Sequence, residues 1–414
     1  MRNLNALITH PFVRRDGSLV DMPCYDEQTG VCADFSTDSL QTVPQKPSQD
    51  DLINALRTLW RPWSAFSFAS EADVGAMLSA VLTIVARPAL RIAPAYMFDA
   101  PVPGSGKTFA ASALGAIVCG DRYGITPYVS GHGAETEMSK RLVTMLMAGE
   151  QFWLIDNVTG YWKSAVMAGL LTSGRVKERL LGGNVLFDGS SRMMICATGN
   201  NASLDRDLGR RFIKIRIDPG MENPQSRCFT FNPVETALRS RLQIAQAALV
   251  LIRGHRSAGA PRFAKGDAGF DDWSALVRDC VLWIADRKLA LAAGIRQPSD
   301  PALSIIDCAA ANDADTEAHH ALLRGLERAF QGKKFAARQV VDLMKGCSAL
   351  DSEGTALVRD AFTWLLPGRP DLSPMSVGRI LADHRDRVAG GRVLKHLGND
   401  RERVGIWILE SVKD

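Results

Sequence analysis

The sequence of 414 residues predicts an α/β protein built on a parallel sheet, and three patterns indicate this. Between about residues 95 and 220, short apolar strand patterns alternate with helix patterns, which is typical of parallel strands joined by crossover helices. Amphipathic helix patterns without strands follow over 235–256, 271–290 and 301–330. Near the end of the chain, three helix patterns (336–345, 354–365 and 374–388) precede two strand patterns. We therefore expect a lead segment (1–46), an α/β core (47–220), a helical lid (221–331) and a C-terminal domain (332–414).

The composition excludes several classes of protein. Hydrophobic residues make up 46% and charged residues 23% of the chain, as in ordinary globular proteins. No apolar run approaches the roughly 20 residues that span a bilayer, and the first residues lack the apolar core of a signal peptide. Eight cysteines without a C-x-x-C pair predict reduced thiols rather than disulfides or zinc ligands. We expect a cytoplasmic protein without a membrane partner.

The elements before the sheet are predicted from turn and capping residues. Asp16-Gly17 lies between two apolar pairs within residues 12–20, which predicts a β-hairpin. The lead is too short to fold alone, so we expect it to pack on the core. Ser48 is the predicted N-cap of a helix from about Asp50 to Trp60, and residues 71–86 predict a second, strongly apolar helix.

The first motif of the core is a phosphate-binding loop. It follows the predicted strand 95–99 and opens a predicted helix that ends near Gly120, which is the context such a loop requires. Its glycines let backbone N–H groups surround phosphate, and the helix N-terminus favours anions. The loop residues are Pro103, Gly104, Ser105, Gly106, Lys107 and Thr108. We expect Lys107 to neutralise the β/γ oxygens of ATP and the Thr108 hydroxyl to ligate Mg²⁺. Pro101 replaces the usual first glycine, which affects the shape of the loop rather than its chemistry.

The second motif is the apolar strand over 151–157, which carries Asp156 at its C-terminal end. A carboxylate there can hold Mg²⁺ through water. Most ATPases with this arrangement carry Glu where Asn157 stands, and Asn can orient water but is a poor base. Either another carboxylate replaces it or hydrolysis is slow. The candidate carboxylates are Glu135, Glu137 and Glu178.

The third motif is an apolar strand over 192–201 that ends in a small polar tip. An Asn at this tip can reach the γ-phosphate or the attacking water as a sensor. The paired Arg210 and Arg211 follow shortly before a strand pattern at 213–218. They suggest arginine fingers, which would neutralise charge on the phosphoryl group held by a neighbouring subunit. A solvated charge pair is the alternative.

Together these motifs resemble the AAA+ helicase module of phage and mobile-element primase-helicase proteins, related to superfamily III and MCM-like helicases. The segments that carry the resemblance span nearly the whole chain. They are residues 11–17, 25–26, 103–108, 155–158, 197–201, 207–211, 222–227, 376–381 and 391–394.

The resemblance implies a homo-hexamer with ATP bound between subunits. It implies that Asn200 is the first sensor, with Asn201 in reserve. A second sensor would be Arg227, Arg239 or Arg241. In related rings the insert at 162–190 supplies a DNA-gripping hairpin, which would use Arg175 and Lys177 near the turn Gly182-Gly183. These basic residues could equally belong to a solvated helix end.

The resemblance also bears on partners. In such proteins the lead often follows a primase-polymerase domain, so a separate primase-polymerase is a possible partner. No acidic triad for polymerisation is evident in this sequence.

The C-terminal pattern of three helices and a hairpin is typical of a winged helix. On the helix predicted over 374–388, apolar residues and His384 form an inward face. Basic residues lie outside that face and along the hairpin, which fits DNA binding through phosphates. These residues are Arg379, Arg385, Arg387, Arg392 and Lys395, with Arg401 and Arg403 beyond them. A winged helix used for protein contacts is the alternative.

The sequence therefore predicts an ATPase with ATP and Mg²⁺ as cofactors that translocates on single-stranded or forked DNA. An AAA+ initiator or loader that uses ATP as an assembly switch is the main rival, and Asn157 favours it. A protein-remodelling ATPase is a third possibility, which the basic tail disfavours.

Overall fold

The computed structural model describes residues 4–131, 133–179, 186–221, 231–263, 270–303, 305, 313–345, 352–365, 373–386, 388–399 and 404–411. The chain divides into two compact units, Met1–Ala309 and Ala310–Asp414. Since the helix pattern near 313–330 falls in the second unit, that unit begins earlier than the boundary at residue 332 that the sequence predicts.

The first unit holds fourteen described strands and eleven described α-helices. The strands are β1 Ala6–Ile8, β2 Phe12–Val13, β3 Leu19–Val20, β4 Cys24–Asp26, β5 Val31–Ala33, β6 Ala95–Ala100, β7 Ile125–Pro127, β8 Phe152–Val158, β9 Tyr161–Trp162, β10 Arg175–Arg179, β11 Leu186–Ser190, β12 Met194–Asn200, β13 Ser203–Leu204 and β14 Phe212–Arg216. The helices are α1 Gln49–Trp60, α2 Glu71–Ala86, α3 Lys107–Cys119, α4 Ala134–Met147, α5 Ala165–Ser173, α6 Arg206–Gly209, α7 Pro233–Arg239, α8 Arg241–Ser257, α9 Asp271–Trp273, α10 Asp279–Asp286 and α11 Leu289–Ala292. A 3-10 turn spans Arg61–Trp63, and a π-helical turn spans Ser274–Arg278.

A five-stranded parallel sheet forms the centre of this unit, with the strand order β14-β6-β12-β8-β7. Every residue of β6 is buried, because the strand has neighbours on both sides and helices pack on the sheet. The predicted α/β core with a parallel sheet is confirmed. Because all five strands are parallel, their carboxyl ends lie at one edge of the sheet, which is where ligands of such sheets bind.

The helices before the sheet begin as their capping residues predict. Ser48 accepts a hydrogen bond from the N–H of Asp51, and Ser70 accepts one from Asp73, each completing a capping box. Helix α2 is buried along almost its whole length, which explains its uniformly apolar sequence.

The helices predicted as a lid pack on the same core as those before the sheet. Helix α8 contacts α1 and α2, and α7 contacts α3. The predicted helix over 235–256 is two helices that meet at Ser240. A lid as a separate body remains a prediction.

A buried hydrogen-bond network joins these later helices to the sheet. The indole Nε1 of Trp273 donates to Thr83 Oγ1 over 2.8 Å, and Thr83 in turn donates to the carbonyl of Ser79 over 2.7 Å. The hydroxyl of Tyr96 on β6 lies 2.8 Å from Thr83 Oγ1. All the polar groups of this network are satisfied inside the core, as buried groups must be.

The lead forms the predicted β2–β3 hairpin, with Gly17 at a φ of 85°. It also forms a small mixed sheet of order β1-β5-β4, in which β1 is parallel and β4 antiparallel to β5. The hairpin packs on the core: β2 contacts α2, and Arg256 on α8 donates to the carbonyl of Asp16 over 2.6 Å.

The second unit combines helices with a four-stranded antiparallel sheet of order β15-β18-β17-β16. Its elements are α12 Asp313–Phe330, β15 Phe335–Ala336, α13 Ala337–Met344, α14 Ser352–Leu365, α15 Pro374–Asp383, β16 Val388–Ala389, β17 Arg392–Asn399 and β18 Gly405–Ser411. Helix α12 packs along α14, which explains why it belongs to this unit rather than to the lid.

Two expectations for this unit are corrected by its boundaries. The helix predicted over 374–388 ends at Asp383 with His384 as its C-cap, so Arg385 lies in a turn rather than on the helix. The two predicted strands, β17 and β18, belong to a four-stranded sheet that also contains β15 and β16. The winged-helix assignment remains a prediction. No helix in the described ranges combines the length and apolar character needed to cross a membrane.

Candidate nucleotide-binding site

The loop between β6 and α3 has the backbone that its glycines predict. Gly104 and Gly106 have φ angles of 77° and 87°, a region that glycine enters without strain. Gly106 is also packed closely, since a Cβ there would lie 2.9 Å from a ring carbon of Phe66. Ser105 closes the loop by donating to the carbonyl of Val102 over 2.6 Å, and Pro103 is exposed.

Lys107 and Thr108, the first residues of α3, meet the ends of two neighbouring strands. Lys107 Nζ donates to Asn200 Oδ1 at the end of β12 over 2.6 Å. Thr108 Oγ1 donates to Asp156 Oδ1 on β8 over 2.9 Å. Three motifs that lie far apart in sequence therefore converge at the carboxyl edge of the sheet.

Burial and nearby carboxylates act in opposite directions on Lys107. The side chain is mostly buried, and desolvation lowers its pKa below the ordinary value. The carboxylates of Asp99 and Asp156 oppose this effect. An anion bound at the loop would act in the same direction as those carboxylates and favour the charged ammonium.

The arrangement around Asp156 fits a magnesium ion. Thr108 and Thr198 both donate to Oδ1 of Asp156, over 2.9 Å and 2.7 Å. Among the described residues Oδ2 accepts no hydrogen bond, so it can receive a metal-bound water. Because the hydroxyl proton of Thr108 points to Asp156, a lone pair of that oxygen is left for the cation. Hard oxygen donors of this kind suit Mg²⁺.

Thr198 lies within the predicted strand over 192–201 and is a site residue for which the sequence predicted no role. Besides donating to Asp156, its hydroxyl accepts the backbone N–H of Asn157 over 3.0 Å. Asn157 is exposed and has a φ of 63°, a left-handed conformation that Asn tolerates better than Glu does. This backbone gives a physical reason for Asn at the position where a catalytic Glu is usual.

Of the other carboxylates that the sequence offers as bases, two bind partners elsewhere and the third lies on the β10–β11 pair. Glu135 caps α5 by accepting the N–H of Val166 over 2.7 Å, and Glu137 pairs with Arg141 over 2.9 Å. Glu178 lies on β10 opposite Phe187. None of these carboxylates contacts Asp156 among the described hydrogen bonds.

A buried carboxylate that the sequence analysis missed lies behind the loop. Asp99 on β6 is fully buried and binds Arg216 Nη1 over 2.5 Å and Lys214 Nζ over 3.0 Å. The second guanidinium nitrogen of Arg216 donates to Asn201 Oδ1 over 3.2 Å. Asn201 thus ties the end of β12 to β14, while Asn200 faces Lys107. A charged residue within an apolar strand directly before the loop was the available signal.

The paired arginines lie at the opposite edge of the sheet. The carbonyl of Arg211 accepts the N–H of Ala95, the first residue of β6, over 3.0 Å. The loop begins after Ala100, and five strand steps of ~3.3 Å place the two edges about 17 Å apart. Arg211 is held by Thr172 Oγ1 over 2.8 Å and by the carbonyl of Asp207, whereas Arg210 is exposed and pairs with Asp207 over 2.7 Å.

The second-sensor candidates are dispersed. Arg241 binds Thr9 and the carbonyl of Ile117 near the far end of α3, about 15 Å from the loop at 1.5 Å per residue. Its side chain therefore lies too far from the loop of the same chain to contact a ligand held there. Arg239 is exposed and pairs with Glu235 over 3.2 Å, and Arg227 lies outside the described residues.

The insert forms an antiparallel pair of β10 and β11, so its basic residues do not lie at a helix end, and their role in gripping DNA stays a prediction. Arg175 and Lys177 both pair with Asp188, over 2.5 Å and 3.4 Å, while remaining largely exposed. The predicted turn Gly182-Gly183 lies outside the described residues.

The basic residues of the second unit differ in their surroundings. Arg379 and Arg385 are exposed. Arg392 pairs with Glu327 on α12 over 2.5 Å, and Lys395 pairs with Asp386 over 2.7 Å. Arg387, Arg401 and Arg403 lie outside the described residues.

Comparisons with known proteins give distant likenesses only. No protein-family model matches the chain, and no curated protein does. Among solved structures, "The X-ray structure of JCV Helicase" aligns at 16% identity and a TM-score of 0.28, covering 59% of this chain and 61% of that one. "The A form apo structure of NrS-1 C terminal region-CTR" aligns at 12% identity and a TM-score of 0.38, covering 91% and 80%. At these TM-scores we draw neither fold nor function from the likenesses.

Proposed function

We propose that the chain is an ATP-driven, ring-forming DNA helicase motor of the AAA+ type. The observation that carries the proposal is the convergence of Lys107, Asn200, Thr108 and Asp156 at one edge of the sheet, with Arg210 and Arg211 at the other. Because ~17 Å separates the edges, the arginines can act only on a nucleotide held by a second copy. This supports the inference of a ring with ATP between subunits.

An apolar cavity beside the loop would receive the base. It has a volume of about 280 Å³ and is lined by Phe66, Gly106, Phe109, Phe231, Asn232 and Pro233. Aromatic faces can stack on any base. The side-chain oxygen of Asn232 already accepts the N–H groups of Val234 and Glu235, so the lining favours stacking over recognition of one particular base. The cavity therefore offers stacking area next to Gly106, which would contact the phosphates.

The residues of the site would divide the hydrolysis of ATP among them. Lys107 would hold the β/γ oxygens, and Asn200, released from Lys107 by the phosphates, would orient the attacking water. Thr108 and Asp156 would hold Mg²⁺, which neutralises charge on the phosphate oxygens when bound. Arg210 and Arg211 of the neighbouring copy would neutralise the charge that develops on the transferred group.

Two surfaces support DNA as the partner. The β10–β11 hairpin carries exposed Arg175 and Lys177 on the insert between the metal-binding strand and the sensor strand. In the second unit, which we propose to be a winged helix, exposed Arg379 and Arg385 are available for phosphates. Arg392 and Lys395 are less suitable, because each would first have to leave a carboxylate.

The test is steady-state hydrolysis of ATP with and without single-stranded DNA, together with unwinding of a forked duplex. We expect DNA to stimulate turnover and Lys107→Ala to abolish nucleotide binding without unfolding the chain. Lys46→Ala, which removes an exposed lysine from the lead, should behave as the wild type. Wild-type ATP affinity in Lys107→Ala would overturn the assignment of the loop.

A second function, an initiator or loader that uses ATP as an assembly switch, is favoured by one observation. Asn157 replaces the usual base, and Glu135 and Glu137 are engaged elsewhere. Multiple-turnover hydrolysis slower than about 0.01 s⁻¹, far below the ordinary range of enzymes, with DNA binding but no unwinding would identify this function.

A further inference from the structure

A cavity of about 830 Å³ opens at the amino edge of the sheet, and arginines from three separate segments line it. Arg15 comes from the β2–β3 hairpin, Arg91 from the segment before β6, and Arg210 with Arg211 from the segment before β14. Asp271 and Asp272 also line it, together with Ile92, Leu171, Thr172 and Phe270. The lining thus holds four guanidinium groups against two carboxylates, which favours an anionic occupant.

One end of helix α5 positions two of these arginines. Thr172 accepts Nε of Arg211 over 2.8 Å. Gly174, at a φ of 65°, packs so closely on the next segment that a Cβ there would lie 2.3 Å from the carbonyl oxygen of Arg91. Arg91 and Arg211 are therefore held against the same turn, although 120 positions separate them in sequence.

The four arginines differ in how far they are already paired. Arg15 pairs with Asp272 over 2.8 Å and Arg210 with Asp207 over 2.7 Å, both as exposed ion pairs of small stabilising value. Arg91 is exposed, and no carboxylate of the described residues lies at ion-pair distance from it. Its charge is available to a ligand at little cost.

Two further arginines lie close by and add positive potential. Arg87 is buried and donates only to carbonyl oxygens, among them those of Ser191 and Met193. Burial and the nearby Arg192 lower the pKa of Arg87 to about 9. The carbonyl of Gly174 accepts the N–H of Ser191, which links this pair to the turn that holds Arg91.

We propose that this cavity receives the phosphates of a nucleotide bound by a second copy of the chain, and that Arg91 contacts them as a catalytic residue beside Arg210 and Arg211. The proposal rests on the proposed function and adds a residue to it. In the step concerned, water bonds to the γ-phosphorus while the bond to the β–γ bridging oxygen breaks. The electron pair of the broken bond stays with ADP, and both protons of the water leave with the phosphate, as H₂PO₄⁻. A guanidinium beside the γ-oxygens would stabilise the charge on them.

The experiment compares Arg91→Ala, Arg91→Lys and the control Arg122→Ala, which removes an exposed arginine outside the cavity. We expect Arg91→Ala to lower kcat about 10²-fold while the Kd for ATP and the assembled size stay unchanged. Arg91→Lys should recover part of the rate, and Arg122→Ala should match the wild type. Mixing Arg91→Ala with Lys107→Ala should restore activity, because some interfaces then pair an intact loop with an intact cavity.

Three results would overturn the proposal. The first is a wild-type kcat for Arg91→Ala, and the second is loss of assembly in that variant, which would make Arg91 an interface residue only. The third is weak ATP binding to Lys107→Ala, far below the wild-type affinity, that disappears in Lys107→Ala/Arg91→Ala, since the cavity would then bind anions without a second copy. Failure of the proposed function is distinct, because it would appear as normal ATP binding or turnover in Lys107→Ala itself.

Discussion

The two edges of the central sheet carry different kinds of polar groups. At the carboxyl edge, Lys107, Thr108, Asp156 and Asn200 hydrogen-bond to one another over 2.6–2.9 Å before any ligand arrives. At the amino edge, the arginines bind mainly to exposed carboxylates and to backbone carbonyls of their own chain. The first edge is organised within a single chain. The second edge gathers cations, and under the proposed function these would act on the phosphates of a nucleotide held by another copy.

The strongest test of this difference is complementation between chains. Arg210→Ala, and likewise Arg211→Ala, should bind ATP nearly normally yet lose roughly 10³–10⁵ in kcat, because a finger acts only across the interface. Mixed with Lys107→Ala, either variant should regain activity, and a slowly hydrolysed ATP analogue should yield a species near six subunits. A fully active monomer, or no rescue in rings shown to be mixed, would remove the trans assignment.

The next largest effect is expected at the metal site. Asp156→Asn should keep ATP binding but lose about 3 kcal/mol of transition-state stabilisation, or roughly 10²-fold in Mg²⁺-dependent kcat, since the cation loses an anionic anchor. Asp121→Asn, an exposed exchange of the same type, is the control. Asp156→Asn should complement Arg210→Ala but not Lys107→Ala, because the latter defect lies at the same edge. If mixing Asp156→Asn with Lys107→Ala restored hydrolysis, the two residues could not belong to the same edge of the site.

A smaller effect is expected on stability in acid, which depends on His10 in the lead and not on the residues at either edge of the sheet. Burial lowers the pKa of His10 in the lead to about 4, against 6.5 for the ordinary group. The unfolded chain therefore binds a proton that the folded chain refuses, and stability is lost as the pH falls below 6.5 towards 4. Between pH 7 and 5 we expect the free energy of unfolding to fall by about 2 kcal/mol more in the wild type than in His10→Gln. Equal slopes in urea titrations would refute this.

The smallest effect concerns Asn157. Asn157→Glu places a base beside the site and should raise kcat about tenfold or more, if no other carboxylate already acts. The left-handed backbone should make the same variant about 1 kcal/mol less stable, whereas Asn157→Gly should avoid that strain. Hydrolysis and thermal unfolding of the two variants measure both effects. An unchanged rate would mean that the base lies elsewhere, with Glu178 as the next substitution.

The sequence predicted those parts of the molecule whose signals are local. The strands at β6, β8, β12 and β14 are short apolar runs, and glycines mark the turn from β6 into α3, so these elements were predicted correctly. That the loop binds phosphate stays a prediction. The predicted N-cap Ser48 follows the same logic, because a capping box lies within four residues.

What the sequence missed depends on contacts between distant residues. Asp99 and Arg216 pair across 117 positions, and Arg392 pairs with Glu327 across 65. Periodicity indicates which face a residue occupies but not its partner, so Arg392 was predicted as a free basic residue. Helix α12 was assigned to the lid for the same reason, since only its packing on α14 shows which unit it joins.

The hydrogen bonds of the Thr83 hydroxyl oppose movement of the helices after the sheet relative to the sheet itself. If the helix that begins at Asp271 moved away from the sheet, the indole of Trp273 would lose its hydrogen bond to Thr83. The buried pair of Thr83 and Tyr96 hydroxyls would then be left without this third member of the network. Each buried group left unpaired costs about 1–3 kcal/mol, so such a swing would be opposed by several kcal/mol. The network therefore ties the helix at Trp273 to the sheet. If the proposed ring forms, this part of each chain would move together with its sheet.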